Sequence, residues 1–201
     1  MNLSWFSIVR LGLVQMSLGA IVVLMTATLN RLMVVELALP AVLPGVLVGL
    51  HYGIQITRPN WGFRSDKGGR RTPWIIGGMA ILGTGGILAA ASIPILENNF
   101  RLGMLTSLIA YLLIGIGVGA SGTSLLALLA TSTAPRRRAA AATITWLMMI
   151  AGIAITAGAT GVMLDPYSHE LLIKIVAVIS SGAVSLTALA MWKVETEQNQ
   201  P

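Results

Sequence analysis

Apolar residues in this chain do not alternate with polar ones. They run in six long blocks, near residues 11–30, 38–57, 73–96, 102–130, 139–164 and 171–192. A helix that crosses a bilayer needs about 20 mainly apolar residues, because the hydrocarbon core is about 30 Å thick. Each block meets that length, so the pattern predicts an all-α integral membrane protein. The expected architecture is one six-helix transmembrane domain over residues 1–192, followed by a polar tail at 193–201. Short polar stretches join the blocks: Arg31 to Glu36, Arg58 to Thr72, Glu97 to Arg101, Ser132 to Arg138 and Asp165 to Glu170. The first apolar run, after Arg10, is too long for a cleavable signal and lacks a small-residue cleavage site.

Composition sharpens this picture. Of 201 residues, 55% are hydrophobic and 10% charged, against about 25% charged in soluble domains. With no cysteine, disulfides, thiolate metal sites and cysteine nucleophiles are excluded. The net charge of +6 would suggest nucleic acid in a soluble protein. Here the basic residues sit between apolar blocks, where they set topology, and no nucleic-acid partner is expected. Arg10, Arg58, Arg64, Lys67, Arg70, Arg71, Arg136, Arg137, Arg138 and Lys193 fall on one side, and only Arg31, Arg101 and Lys174 on the other. Cytoplasmic loops carry the lysine and arginine excess. Both ends of the chain are therefore expected in the cytoplasm. Trp5, Trp61, Trp74 and Trp192 lie near the ends of the blocks, as an interfacial aromatic belt requires.

The blocks are rich in small residues, notably Gly77, Gly78, Gly83, Gly85 and Gly86 in the third and Gly115, Gly117, Gly119 and Gly122 in the fourth. In lipid, small residues let helix backbones approach closely, so a packed bundle is expected. Gly117-x-Gly119-x-x-Gly122 matches a dinucleotide fingerprint. That motif has meaning only between a strand and a helix, so it is assigned to packing.

The second connection, Arg58-Pro-Asn-Trp-Gly-Phe-Arg-Ser-Asp-Lys-Gly-Gly-Arg-Arg-Thr72, reads as a tight basic turn with one acid among five basic residues. Gly62, Gly68 and Gly69 allow unusual backbone angles. Thr72 is the expected N-cap with Pro73 at the first helical position. Asp66 is expected to pair with Arg70 or Arg71. The set Gly62, Asp66, Lys67, Gly69, Arg70, Arg71 resembles the signature loop of the major facilitator superfamily. With Thr28-Leu-Asn-Arg-Leu-Met-Val-Val-Glu36, Leu50-His-Tyr52 and Arg58-Pro-x-Trp-Gly62, the chain resembles the PucC/LhaA-type branch of that superfamily, most strongly over residues 8–90. The resemblance implies one six-helix half of a twelve-helix fold, the N-terminal one. It also implies a role in assembling bacteriochlorophyll-containing light-harvesting complexes. Where many superfamily transporters carry a buried arginine, this chain has Tyr111.

Five residues are candidates for partner or pigment contact: Asn30, Arg31, Glu36, His51 and Trp146. Arg31 and Glu36 sit at the outer end of the first hairpin, where interfacial solvation is the simpler role. His51 lies about 9 Å inside the second block. It is a candidate ligand for bacteriochlorophyll magnesium, or a hydrogen-bond partner of Gln55. Gln15 and Asn30 are expected to bridge helices rather than line a cavity. Arg136 to Arg138 is assigned to topology. His169 with Asp165 and Glu170 lacks metal-ligand spacing, and no metal centre is expected. No nucleophile–base pair or carboxylate dyad is visible, so the chain is not expected to be an enzyme. The expected function is a membrane assembly or structural factor beside light-harvesting or reaction-centre subunits, in a photosynthetic cytoplasmic membrane. The alternative is half of a split or dimeric transporter for a hydrophobic or tetrapyrrole cargo, paired with a second six-helix chain.

Overall fold

The structure is a computed structural model that describes residues 3–67 and 69–195. Every regular element among them is helical: α1 (Trp5–Val23), α2 (Asn30–Val35), α3 (Val42–Ile54), α4 (Arg58–Lys67), α5 (Thr72–Asn98), α6 (Phe100–Ser132), α7 (Arg138–Met163) and α8 (His169–Met191). A π-helical stretch, Leu24–Leu29, joins α1 to α2 without a break. Among the described residues, five stretches are long and apolar enough to cross a membrane: Trp5–Val35, Thr72–Asn98, Phe100–Ser132, Pro135–Met163 and His169–Met191. The chain is an all-α membrane protein.

Three expectations need correction. Arg31 to Val35 is not a connection but the last turn of the first span, because charges at a helix end reach the interface without leaving the helix. The second expected span begins only after Pro40. As α3 it has 13 residues, about 20 Å, short of a full crossing on its own. The connection after it is not a tight turn: Arg58–Lys67 is helical, continuing α3 through one 3₁₀ turn. Pro59 in its first turn lacks only an N–H that has no intrahelical partner there, and so starts the helix well. Gly62 consequently lies inside a helix. The left-handed backbone falls at Gly69, with φ of 68°, and Gly68 lies outside the described residues.

Side-chain caps open three helices. Ser4 Oγ accepts from the Ser7 N–H (3.1 Å), Asn99 Oδ1 from Leu102 (3.1 Å) and Ser168 Oγ from Leu171 (3.2 Å). Helix α5 lies at the centre, packed against α6 and α8, while α1 packs against α7 and α8, and α3 and α4 lie on α6. Glycines set these crossings. A Cβ on Gly78 would stand 2.5 Å from the Ser121 nitrogen of α6, and one on Gly19 2.6 Å from the Met149 carbonyl oxygen of α7. The glycines of the apparent fingerprint point three ways. Gly117 meets the α5 backbone, Gly119 meets Trp61 of α4, and Gly122 faces Leu18 of α1. They serve packing inside a 33-residue helix.

Some hydroxyls find partners within the bundle, whereas those of Ser121, Ser124, Thr160, Ser180 and Thr187 are buried without one. Ser107 Oγ donates to Ser92 Oγ across α5 and α6 (2.8 Å), and Thr84, Thr106 and Thr143 each donate to the carbonyl four residues back.

Candidate functional site

A cavity of about 290 Å³ opens between α1, α3, α6 and α7. Its walls are largely apolar, with Leu18, Val22, Val118, Leu126 and Ile153 among them. Four polar or charged side chains interrupt the walls: Gln15, His51, Gln55 and Arg58. Helical period explains the arrangement. His51, Gln55 and Arg58 follow one another at i, i+4 and i+7, so one face presents all three. Gln15, Leu18, Gly19 and Val22 do the same on α1.

The polar groups are incompletely partnered. Gln55 Nε2 lies 2.9 Å from His51 Nε2. An amide nitrogen only donates, so His51 Nε2 accepts and the imidazole proton sits on Nδ1. His51 is buried, and its Nδ1 has no hydrogen-bond partner. Gln15 Nε2 reaches only the Met149 sulfur, at 3.6 Å, and its Oε1 is unpartnered. Arg58 Nε is buried without a partner as well. Gln15, His51 and Arg58 thus contribute three of the twelve buried side-chain polar atoms that lack a partner among the described residues, and all three residues line this one hollow.

The sequence candidates divide between this cavity and the opposite end of α1. His51 and Trp146 line the cavity, Trp146 with 49% of its surface exposed. Gln15 lines it too, while its amide reaches from α1 to Met149 on α7, in the direction of the expected helix bridge. Asn30 stays local, its amide donating to the Thr26 carbonyl at 3.4 Å. Arg31 and Glu36 are exposed and form no ion pair with each other among the described residues. Nearby, His169 Nε2 lies 3.4 Å from Glu97. The Tyr167 phenol between these acids is pushed up to about 12, by burial first and then by the Glu36 and Glu97 carboxylates. Arg58, by its place in the sequence a topological charge, is a cavity residue. Its i+7 spacing from His51 was the available signal.

At the other end, the signature segment is tied down. Asp66 Oδ1 accepts from Arg71 Nη2 (2.6 Å) and Nε (3.2 Å), which resolves the expected choice between Arg70 and Arg71. Arg71 Nη1 also donates to Thr131 Oγ1 on α6. Thr72 is not the N-cap it was expected to be. It is the first residue of α5, whose opening N–H groups are capped by a distant side chain. Glu195 accepts from Arg71 N at 2.7 Å and Thr72 N at 3.0 Å. Lys193, with φ of 59°, helps turn the chain back after α8. Arg10 holds the same end by donating to the Ala190 and Trp192 carbonyls. A carboxylate at a helix N-terminus is favoured by both hydrogen bonding and the helix dipole. Glu195→Gln is expected to lower stability by about 0.5–2 kcal/mol, on the scale of lost N-caps. The measurement is the thermal unfolding midpoint in detergent. An unchanged midpoint would mean that the cap contributes nothing.

The sequence profile described as PUCC protein matches residues 28–201, spanning α2 to α8. The chain belongs to the PUCC family. Among curated relatives, it is 62% identical over its whole length to the bacteriochlorophyll synthase 44.5 kDa chain of Rhodobacter capsulatus, covering 47% of that protein. It is 32% identical to protein PucC of Cereibacter sphaeroides and 30% identical to protein PucC of Rhodovulum sulfidophilum, over 94% of this chain and 44% of each. The chain thus spans about half the length of the curated PUCC relatives it matches. No solved structure matches it.

Proposed function

We propose that this chain is a non-enzymatic assembly factor for bacteriochlorophyll-containing light-harvesting or reaction-centre complexes. We further propose that it acts in a photosynthetic cytoplasmic membrane with its basic end in the cytoplasm. One observation carries the reading. A PUCC-family bundle, with one relative named for bacteriochlorophyll, has an apolar cavity lined by a histidine whose Nδ1 has no protein partner. Membrane lipid surrounds the bundle, and antenna or reaction-centre helices are its partners.

The cavity fits the pigment in part. Ligand pockets run from roughly 300 to 1,000 Å³, so about 290 Å³ encloses a portion of a tetrapyrrole. The rest would lie along exposed parts of α3 and α7, where Tyr52 and Trp146 offer aromatic surface. A bound pigment would supply a Lewis-acidic magnesium, and His51 is the cavity's nitrogen donor that would hold it. Gln55 occupies the lone pair on His51 Nε2. A half-turn of the Gln55 amide presents its oxygen instead, moves the imidazole proton to Nε2, and frees the Nδ1 lone pair. The curated relatives are about twice as long. A second helical bundle packed on α3 and α7 would close the cavity.

The test is gentle purification from photosynthetic membranes, with an absorption spectrum and mass analysis of the particle. Bacteriochlorophyll and antenna or reaction-centre subunits are expected with the wild-type chain, and pigment is expected to be depleted in His51→Leu. A colourless particle containing only this chain, or this chain with a second six-helix partner, would sink the assembly reading.

A further inference from the structure

The charged member of the cavity says more about the ligand than the imidazole does. Arg58 stands where α3 passes into α4, and its guanidinium is the cavity's cation. Its Nε is buried without a hydrogen-bond partner, and no carboxylate pairs with it among the described residues. Among the described residues, no acidic side chain lines the cavity. The neighbouring cations are spent differently. Arg71 is engaged by Asp66 and Thr131, and Arg64 lies 5.9 Å from the Trp61 ring centroid. Snorkelling could carry the terminal nitrogens of Arg58 to the interface. It would leave Nε, deeper along the side chain, still unanswered.

A half-buried guanidinium without a counter-charge at the edge of an apolar cavity is complementary to an apolar molecule bearing one anionic group. From this charge complementarity we infer that the cavity takes an amphiphile with a free carboxylate or similar anionic head. Arg58 receives the head, and the Leu18, Val22, Val118 and Leu126 walls receive the body. Under the function proposed above, on which this inference rests, the cavity favours the free-acid form of a tetrapyrrole over its ester, which it still admits. The Gln15 and Gln55 amides are placed for ring carbonyl groups. An anionic lipid would meet the same chemistry, so the experiment separates the two sources.

The chain is reconstituted in zwitterionic phosphatidylcholine nanodiscs and titrated with two matched pairs, following quenching of tryptophan fluorescence. One pair is bacteriochlorophyllide and its methyl ester. The other is a spin-labelled fatty acid and its methyl ester. The acid is expected to bind about tenfold or more tightly than its ester, the scale of one charge-assisted hydrogen bond. Arg58→Gln is expected to abolish that preference, and Arg58→Lys to retain part of it. Acid preference lost in Arg58→Gln supports the inference, and the pair in which it occurs identifies the source. Preference confined to the fatty-acid pair keeps the anionic site but removes the pigment reading. Equal binding of acid and ester in both pairs overturns the inference while leaving pigment binding intact, as does a preference that survives Arg58→Gln. Melting curves of each variant in the same nanodiscs separate loss of binding from loss of fold.

Discussion

Replacing Gly117 with alanine is expected to disrupt the bundle, although one methyl group is a small change. A Cβ at Gly117 would stand 2.5 Å from the Leu82 nitrogen, 2.7 Å from the Gly78 oxygen and 2.8 Å from the Leu82 Cα. All three are backbone atoms of α5, so no rotamer change relieves the clash. The two helices would have to separate along their crossing. Overpacking of a well-filled interface costs about 1–3 kcal/mol, and a backbone collision at the most extensive helix pair belongs at the upper end. In a bilayer the loss is not offset by hydrophobic attraction, because lipid is as apolar as the partner helix. Gly117→Ala, and Gly78→Ala from the other side, are expected to lower the thermal midpoint in detergent and reduce the monodisperse fraction. Gly77→Ala is the control. It adjoins Gly78 on the same helix, but a Cβ there meets nothing within 4 Å, so it is expected to be neutral or slightly stabilising. Equal behaviour of Gly77→Ala and Gly78→Ala would contradict close α5–α6 contact.

Local rules made much of this fold legible. Long apolar blocks placed α5, α6, α7 and α8 within about two residues of their ends, since hydropathy needs no knowledge of neighbours. Polarity misled where it was equated with a turn. Arg58–Lys67 is polar and yet helical, because Pro59 suits a first turn and a helix can lie beyond the apolar span. The Glu195 cap was illegible for a different reason. Its partners, Arg71 and Thr72, are more than 120 positions away, and no pattern in a single sequence links them. The cavity was half legible. His51 and Trp146 stood out as polar or aromatic groups within apolar blocks. That they share one hollow with Gln15 and Arg58 depends on the relative rotation of four helices, which periodicity within each helix does not fix.

Tyr111→Phe is expected to destabilise the chain by about 1–3 kcal/mol, the cost of leaving a buried acceptor unpaired. Tyr111 is fully buried on α6, and its hydroxyl donates to the Met25 carbonyl at 3.1 Å. Met25 lies in the π-helical stretch of the first span, where the ordinary i to i+4 ladder is interrupted. In lipid no water is available to answer a carbonyl exposed by such an interruption. Thr26 Oγ1 answers the Val22 carbonyl in the same way, at 2.9 Å. The wider turn also resets the phase of everything beyond it, including Asn30, Arg31 and Glu36. Tyr111 therefore ties α6 to the feature that aims the outer end of the first span. Loss of the hydroxyl is expected to lower the thermal midpoint. It is also expected to speed amide hydrogen exchange from Leu24 to Leu29, leaving the Glu195-capped end unchanged. If exchange instead rose evenly along the whole span, the hydroxyl would be serving general packing, and the π-helical stretch would be held by other contacts.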